Sequence, residues 1–431
     1  MPLHPPERNY VETLKEDRAA ILLADELGFV EAFISEHVTD FAEDVRVARI
    51  HAMQSYAIAG LGVTPQGIIP GTSAEKLAWD AIELALNDAG IERSKVNGYI
   101  YQPGFGERTS GVAASRAALG ANSTLQIDSS GASGIFTLIT AIGLIEAGTA
   151  EYVMCVHATN ARSQAVTVGA GGQDQNSIFG LFSPGAQSGM MARGYMHKYN
   201  TASADLAELA VALRYNAVPR SDAYMFNRPI TVDDHQNSPF IVRPLHLFDY
   251  CLVTDGAIAF LVTTAERARD LQTTPVALLG FGTCHEVGQG YRRGANTVLG
   301  PADLDVEPAR SQAFGSAGLG IEDIDVFQFY DAFTIIAALQ IEAYGLCARG
   351  EAADWVRAGN FRWDSKHPCN TSGTLHSWGY VQGFTHLAEG IRQLRGEGGP
   401  TQVPDARTAL VTNVGITAAG LAQSAVILST A

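Results

Sequence analysis

The chain has 431 residues, 46% of them hydrophobic and 17% charged, a globular composition that excludes wholesale disorder. Lys and Arg total 29 against 45 Asp and Glu, a formal charge of −16. With no basic patch, binding to nucleic acid or to an anionic membrane surface is not expected. The five cysteines (Cys155, Cys251, Cys284, Cys347, Cys369) form no CxxC pair. Neither a disulfide framework nor a zinc site is therefore expected, and a reduced, cytoplasmic setting fits best. No apolar run approaches the roughly 18 residues of a membrane-spanning helix, and the start lacks the order of a signal peptide.

Residues 7–50 read as charged and helical, with Leu22, Leu23, Leu27, Phe29, Val30, Phe33 and Ile34 as the apolar positions. Near residue 54 the composition turns Gly/Ala/Val-rich, which sets a domain boundary. The spacing predicts a helix over Ala74–Ala89, stopped by Gly90. A strand follows at Lys95–Tyr101, then a largely apolar and hence buried helix at Gly131–Ala147, then a buried strand at Tyr152–His157. This alternation argues for an α/β fold.

The strongest organisational signal is an internal repeat. Ala89-Gly-Ile-Glu-Arg-Ser-Lys-Val-Asn-Gly-Tyr-Ile100 matches Leu319-Gly-Ile-Glu-Asp-Ile-Asp-Val-Phe-Gln-Phe-Tyr330. A helix–strand pair at Gly134–Gly148 and Glu151–Val156 is paralleled by Gly383–Gly396 and Arg407–Val414. The chain reads as a duplicated α/β domain whose first copy, residues 55–270, carries an insertion over about 160–245, expected to cover a cleft. The second copy spans 271–431, and 1–54 is an appended helical segment. Within it, Leu23–Val38 resembles one repeat of the luciferase-like flavin monooxygenases. One repeat cannot close a barrel, so no flavin chemistry is expected.

Ordered markers carry a second resemblance, over 55–431. They are Asp128-Ser-Ser-Gly-Ala-Ser-Gly134, Met191–Tyr199, Asp255-Gly256, Tyr330-Asp-Ala-Phe333, Asn370-Thr-Ser-Gly373 and Asn413-Val-Gly415. The chain resembles the thiolase superfamily, nearest its sterol-carrier-protein thiolase branch. That implies a five-layer αβαβα core and a homodimer. The departures are specific. The nucleophilic cysteine of thiolases is replaced by Gly131, the histidine of their Gly-His-Pro motif by Tyr380, and the cysteine of their last glycine turn is missing from Asn413-Val-Gly-Ile-Thr417. A motif bearing Asn or His becomes Tyr330-Asp-Ala-Phe333. Claisen chemistry through these positions is therefore not expected.

What remains suits a retro-aldol cleavage of a β-hydroxyacyl-CoA, in which a base takes the hydroxyl proton and backbone N–H groups hold the enolate. Gly131 is expected to open room for a bulky acyl group, and the turn Gly131–Gly134, including Ser133, to cradle the thioester. The resemblance extends to CoA-dependent steroid side-chain aldolases, which carry tyrosines at the positions of Tyr380 and Tyr330. It implies that these two are catalytic and that a steroid side-chain thioester is the substrate. It also implies a small OB-fold/zinc-ribbon acyl-CoA-binding partner. His376 would lie one turn before Tyr380 on a helix and is placed on the substrate side. Asn370 and Asp331 are placed there too, although the default role of the first is that of a turn residue and of the second that of a helix or loop anchor. No cofactor beyond the CoA of the substrate and no metal is expected. Ser129 and Ser130 read as helix caps, Cys369 as a small buried hydrophobe, and Tyr291 as a basic-loop residue. Two other readings stay open: a non-catalytic acyl-CoA-binding scaffold, and an acyltransferase with an unrecognised nucleophile.

Overall fold

A computed structural model describes residues 56–107, 119–166, 183–285, 303–417 and 420–430. The appended segment 1–54, part of the insertion (167–182) and Tyr291 lie outside the described residues.

The first half runs β1 (Tyr56–Val63), α1 (Ala74–Ala89), β2 (Gly98–Gln102), β3 (Ser123–Gln126), α2 (Ser133–Glu146) and β4 (Val153–Thr159). Helix α1 forms where its spacing predicts. Ser73 caps it by accepting the Lys76 N–H at 3.1 Å, and Gly90 ends it in the left-handed region at φ 66°, where glycine has no Cβ penalty. After β4 come α3 (Pro184–Tyr199), α4 (Ser203–Ala217), the hairpin β5 (Phe240–Val242) and β6 (Leu245–His246), and β7 (Gly256–Thr264). The second half runs β8 (Val276–His285), α5 (Glu307–Ala317), β9 (Val326–Gln328), α6 (Thr334–Ala343), α7 (Thr374–Ser377), α8 (Gly383–Leu394), β10 (Thr408–Thr417) and β11 (Gly420–Thr430).

The strands order as β3-β2-β4-β7-β1-β8-β11-β10-β9. β2 is parallel to β3 and β4, while β7 is antiparallel to β4 and β1. The second half repeats this: β9 is parallel to β10, and β11 is antiparallel to β10 and β8. The counterpart of β3 has shrunk to a single parallel bridge between Phe327 and Cys369. Two residue pairs join the halves, Ala57 with Ala277 and Ile58 with Val276.

Helices α2 and α8 pack on each other in the middle layer. Ile135, Leu138 and Ile142 share one core with Phe384, Leu387 and Ile391. Both helices are buried because each touches its own half-sheet and the other helix. The outer faces carry α1 on β1 and α5 on β8. These contacts need glycine. A Cβ on Gly62 would run into the Ala81 carbonyl, and one on Gly282 into that of Ala309. The five-layer αβαβα order that the resemblance implies is thus present. No described helix is long and apolar enough to cross a membrane.

The described part of the insertion lies on the second half, where α4 packs against α6 and α7. One buried ion pair fastens it to the middle layer. The Arg220 guanidinium donates to both carboxylate oxygens of Glu389 on α8, at 3.0 and 3.1 Å. Both side chains are almost wholly out of water. Removing one partner of such a pair strands a buried charge. Arg220→Met is expected to lower stability by about 3–5 kcal/mol, and adding Glu389→Gln to recover part of it. Denaturant midpoints of the two variants check this, and a single variant as stable as the parent contradicts it.

Candidate active site

The site forms where the N-termini of α2 and α8 meet the carboxyl ends of β9 and β10. Asn413 on β10 stitches the two helices together. Its Oδ1 accepts the Ile135 N–H at 3.1 Å, and its Nδ2 donates to the Gly383 carbonyl at 3.3 Å. The Asp128–Gly134 turn reaches α2 through Ser130 at φ 53°. The Ser133 hydroxyl accepts the Ser129 N–H and donates to the Ser130 carbonyl, both at 2.8 Å. Two of the expected cradle amides are engaged within the turn, Ala132 with Ser129 and Ser133 with Ser130. Gly131 and Gly134 remain as the candidate enolate donors.

Gly131 does not open a free space. A Cβ there would overlap the hydroxyl and ring carbon of Tyr330 and the carbonyl of Val414. The seat of a side chain at 131 is filled by a phenol. Tyr330 follows β9 and is fixed at both ends of its peptide unit. Its N–H donates to Thr412 Oγ1 at 3.2 Å, and its carbonyl accepts from Gln340 Nε2 at 2.6 Å. Tyr380 lies between α7 and α8, its N–H on Thr254 Oγ1 at 2.8 Å.

The two phenols hydrogen-bond to each other, and Gln382 hydrogen-bonds to Tyr380. Burial pushes both phenols above their ordinary range. For Tyr330 the adjoining Tyr380, Cys251 and Asp331 add to the rise, as does its hydrogen bond with Tyr380. For Tyr380 the neighbouring Cys251 also raises the value, while the hydrogen bonds from Gln382 and Tyr330 oppose it. The two phenols thus form one buried, mutually coupled pair.

Beneath them lies Asp331. Its carboxylate accepts from the Thr374 hydroxyl at 2.7 Å and from the amides of Leu375 and His376 at 3.2 and 3.3 Å. It also meets His386 Nε2 at 2.7 Å and His376 Nδ1 at 3.3 Å. Burial alone would push the Asp331 carboxyl up, but the hydrogen bonds and charge of the two histidines hold it well below the usual range. This network corrects the expected place of His376. Helix α7 ends at Ser377, before Tyr380, and the His376 ring turns to Asp331 rather than to Tyr380. His386 instead packs on the Tyr330 ring, with centroids 5.3 Å apart. Asn370 is engaged with the Phe329 peptide, accepting its N–H at 2.9 Å and donating to its carbonyl at 2.7 Å. Its side chain does the work of the missing fifth strand.

Sequence reasoning missed Gln382, Gln102 and Cys251. A polar residue ending the apolar run Gly98-Tyr-Ile-Tyr-Gln102 was the available signal, because sites gather at the carboxyl ends of parallel strands. Gln382 lies inside the motif already matched. No group of His, Cys, Asp and Glu that could hold a metal occurs among the described residues.

A duplicated αβαβα core with paired helix N-termini at its centre defines the thiolase class, and a phenol in place of a thiol sets this chain apart within it. Residues 302–430 match the thiolase C-terminal domain-like family. The chain is 34% identical to the steroid side-chain-cleaving aldolase of Thermomonospora curvata, over 85% of this chain and 96% of that protein. It is also 34% identical to the 17-hydroxy-3-oxo-4-pregnene-20-carboxyl-CoA lyase of Mycobacterium tuberculosis, over 79% and 91%. A solved structure described as an Ltp2-ChsH2(DUF35) aldolase superposes with TM-score 0.75 at 32% identity, covering 88% of this chain and 98% of that one. The chain belongs to the thiolase superfamily, in the sterol-carrier-protein thiolase-like branch that lacks the catalytic cysteines and includes these aldolases.

The overlap at position 131 has a direct consequence. Gly131→Ala is expected to cost about 1–3 kcal/mol of stability. Adding Tyr330→Phe is expected to recover only part, because the Val414 carbonyl stays in the way. Thermal midpoints of both variants check this, and a Gly131→Ala chain melting with the parent contradicts the geometry.

Proposed function

We propose that the chain is a CoA-thioester aldolase that cleaves a β-hydroxyacyl-CoA by proton transfer through Tyr380 and Tyr330, without a covalent intermediate. The observation that carries this reading is the buried, coupled tyrosine pair, with the Tyr330 phenol set against the helix N-terminal turn at Gly131. The names of the relatives, a steroid side-chain-cleaving aldolase and a pregnene carboxyl-CoA lyase, support the reaction class and a steroid side-chain thioester as substrate.

Tyr380 takes the proton of the β-hydroxyl. The C–O bond becomes a carbonyl, the Cα–Cβ bond breaks, and its electron pair enters the thioester as an enolate. The amides of Gly131 and Gly134 hold the enolate oxygen. A proton returned to Cα gives the shortened acyl-CoA, and the other product is a ketone. Atoms balance with no water, metal or redox cofactor. Tyr330, donating to Tyr380, offsets part of the cost of burying a phenolate.

The structure named as an Ltp2-ChsH2(DUF35) aldolase supports a small partner subunit. We extend this to an OB-fold/zinc-ribbon protein that helps hold the acyl-CoA, and to a homodimer of this chain in the cytoplasm.

Mutation of the pair tests the chemistry. Tyr380→Phe, co-purified with the partner, is expected to lower kcat roughly a hundredfold to ten-thousandfold. Tyr330→Phe is expected to lower it less, with KM nearly unchanged in both. Ketone release followed by mass spectrometry reads this, and full-rate cleavage by the Tyr380→Phe chain refutes the assignment.

A further inference from the structure

Gln382 sits in a backbone conformation that glycine adopts cheaply and glutamine does not. Its φ is 47° and ψ −143°, a region in which a side chain stores strain. It is the residue before α8, and its side chain makes no cap hydrogen bond to that helix. The side chain is buried. It hydrogen-bonds to the Tyr380 hydroxyl, and its Oε1 accepts from Gln102 Nε2.

Gln102, at the end of β2, is held in one orientation. Its Nε2 faces two oxygens, Gln382 Oε1 and the Ser130 carbonyl, the latter at 3.1 Å. A flipped amide would set oxygen against both. The observed orientation leaves Gln102 Oε1 buried without a partner among the described residues, which is costly. The backbone of Gln102 is fixed too, since its carbonyl meets His157 Nδ1 at 3.2 Å. Burial lowers the His157 ring to about 4, so near neutral pH it is uncharged and its proton lies on Nδ1 toward that carbonyl. Gln382 Oε1 is turned to Gln102, and the Gln382 hydrogen bond opposes the rise of the Tyr380 phenol, as donation from Gln382 Nε2 does.

We infer that Gln382 and Gln102 form an amide relay that positions the Tyr380 oxygen and stabilises its phenolate, making them positioning residues for the base. The relay also ties the base to the acceptor turn, because the second Gln102 N–H holds the Ser130 carbonyl beside Gly131. The inference rests on the reading of Tyr380 as the base. A purely structural role for Gln382 makes a different forecast: glycine at 382 relieves the strain, loses the Gln102 contact and leaves the Tyr380 titration where it was.

The test places 3-fluorotyrosine at position 380 and follows its ¹⁹F resonance against pH in the complex with the partner subunit. Gln382→Gly is the main variant, because its backbone is relaxed. Gln382→Glu, which accepts from Gln102 and has no N–H for the phenol, is the second. Gln102→Leu is the third. In each the fluorophenol midpoint is expected to rise by about one pH unit or more, and kcat/KM at neutral pH to fall roughly tenfold or more. The Gly chain is expected to melt at or above the parent. Midpoints that stay at the parent value in both Gln382 variants overturn the relay. Midpoints that rise while the cleavage rate holds support the relay and refute Tyr380 as the base, so the two claims fail separately.

Discussion

The site depends on a mutual exclusion: the Tyr330 phenol occupies the space that any side chain at 131 would need. A residue at the head of a buried helix can be a nucleophile only if its Cβ fits. Here it does not, and the obstruction is not the tip of a flexible chain. Tyr330 is fixed at its N–H and its carbonyl, and the Val414 carbonyl is backbone. The loss of the cysteine and the gain of the tyrosine are therefore one change in two places. A reversal at 131 alone yields a collision rather than a thiolase.

The rest of the fold serves this junction. Duplication brings two helix N-termini together, and Asn413 fixes their distance by bonding to both. Asp331 gathers α7, His376 and His386 beneath the tyrosines and keeps its charge because donors surround it. The Arg220–Glu389 pair fastens the insertion to α8, the helix that begins three residues after Tyr380. Tyr330 and Tyr380 are both buried, so the proposed proton transfer has little solvent to draw on. The proposed base role of Tyr380 therefore calls for fixed donors rather than solvent.

Much of the fold was legible in the sequence. Helix α1 has the predicted bounds, because capping and apolar spacing are local signals. The repeat that aligns Gly90 with Gly320 recurs as two helix ends, each followed by a one-turn 3₁₀ segment and a strand, although the second helix is capped two residues earlier, by Gly318. The paired glycines Gly60-Leu-Gly62 and Gly280-Phe-Gly282 went unread, because close approach of a helix to a strand leaves no periodic trace. At the site, motif position located Tyr330 and Tyr380. It could not show that Gly131 faces the Tyr330 ring across 199 positions of sequence, so an open pocket was expected where a filled one exists. His376 went astray for a related reason. A helical turn was assumed where the chain leaves the helix at Ser377, and the ring follows Asp331 instead.

The most direct measurement of the central claim is intact-protein mass spectrometry on the complex, quenched during steady turnover of a tertiary β-hydroxyacyl-CoA, with ketone and shortened acyl-CoA measured in the same samples. The account predicts both products while the chain keeps its unmodified mass at every time point. A chain that gains the mass of the acyl group and loses it at the turnover rate would place a nucleophile in the reaction and contradict the account.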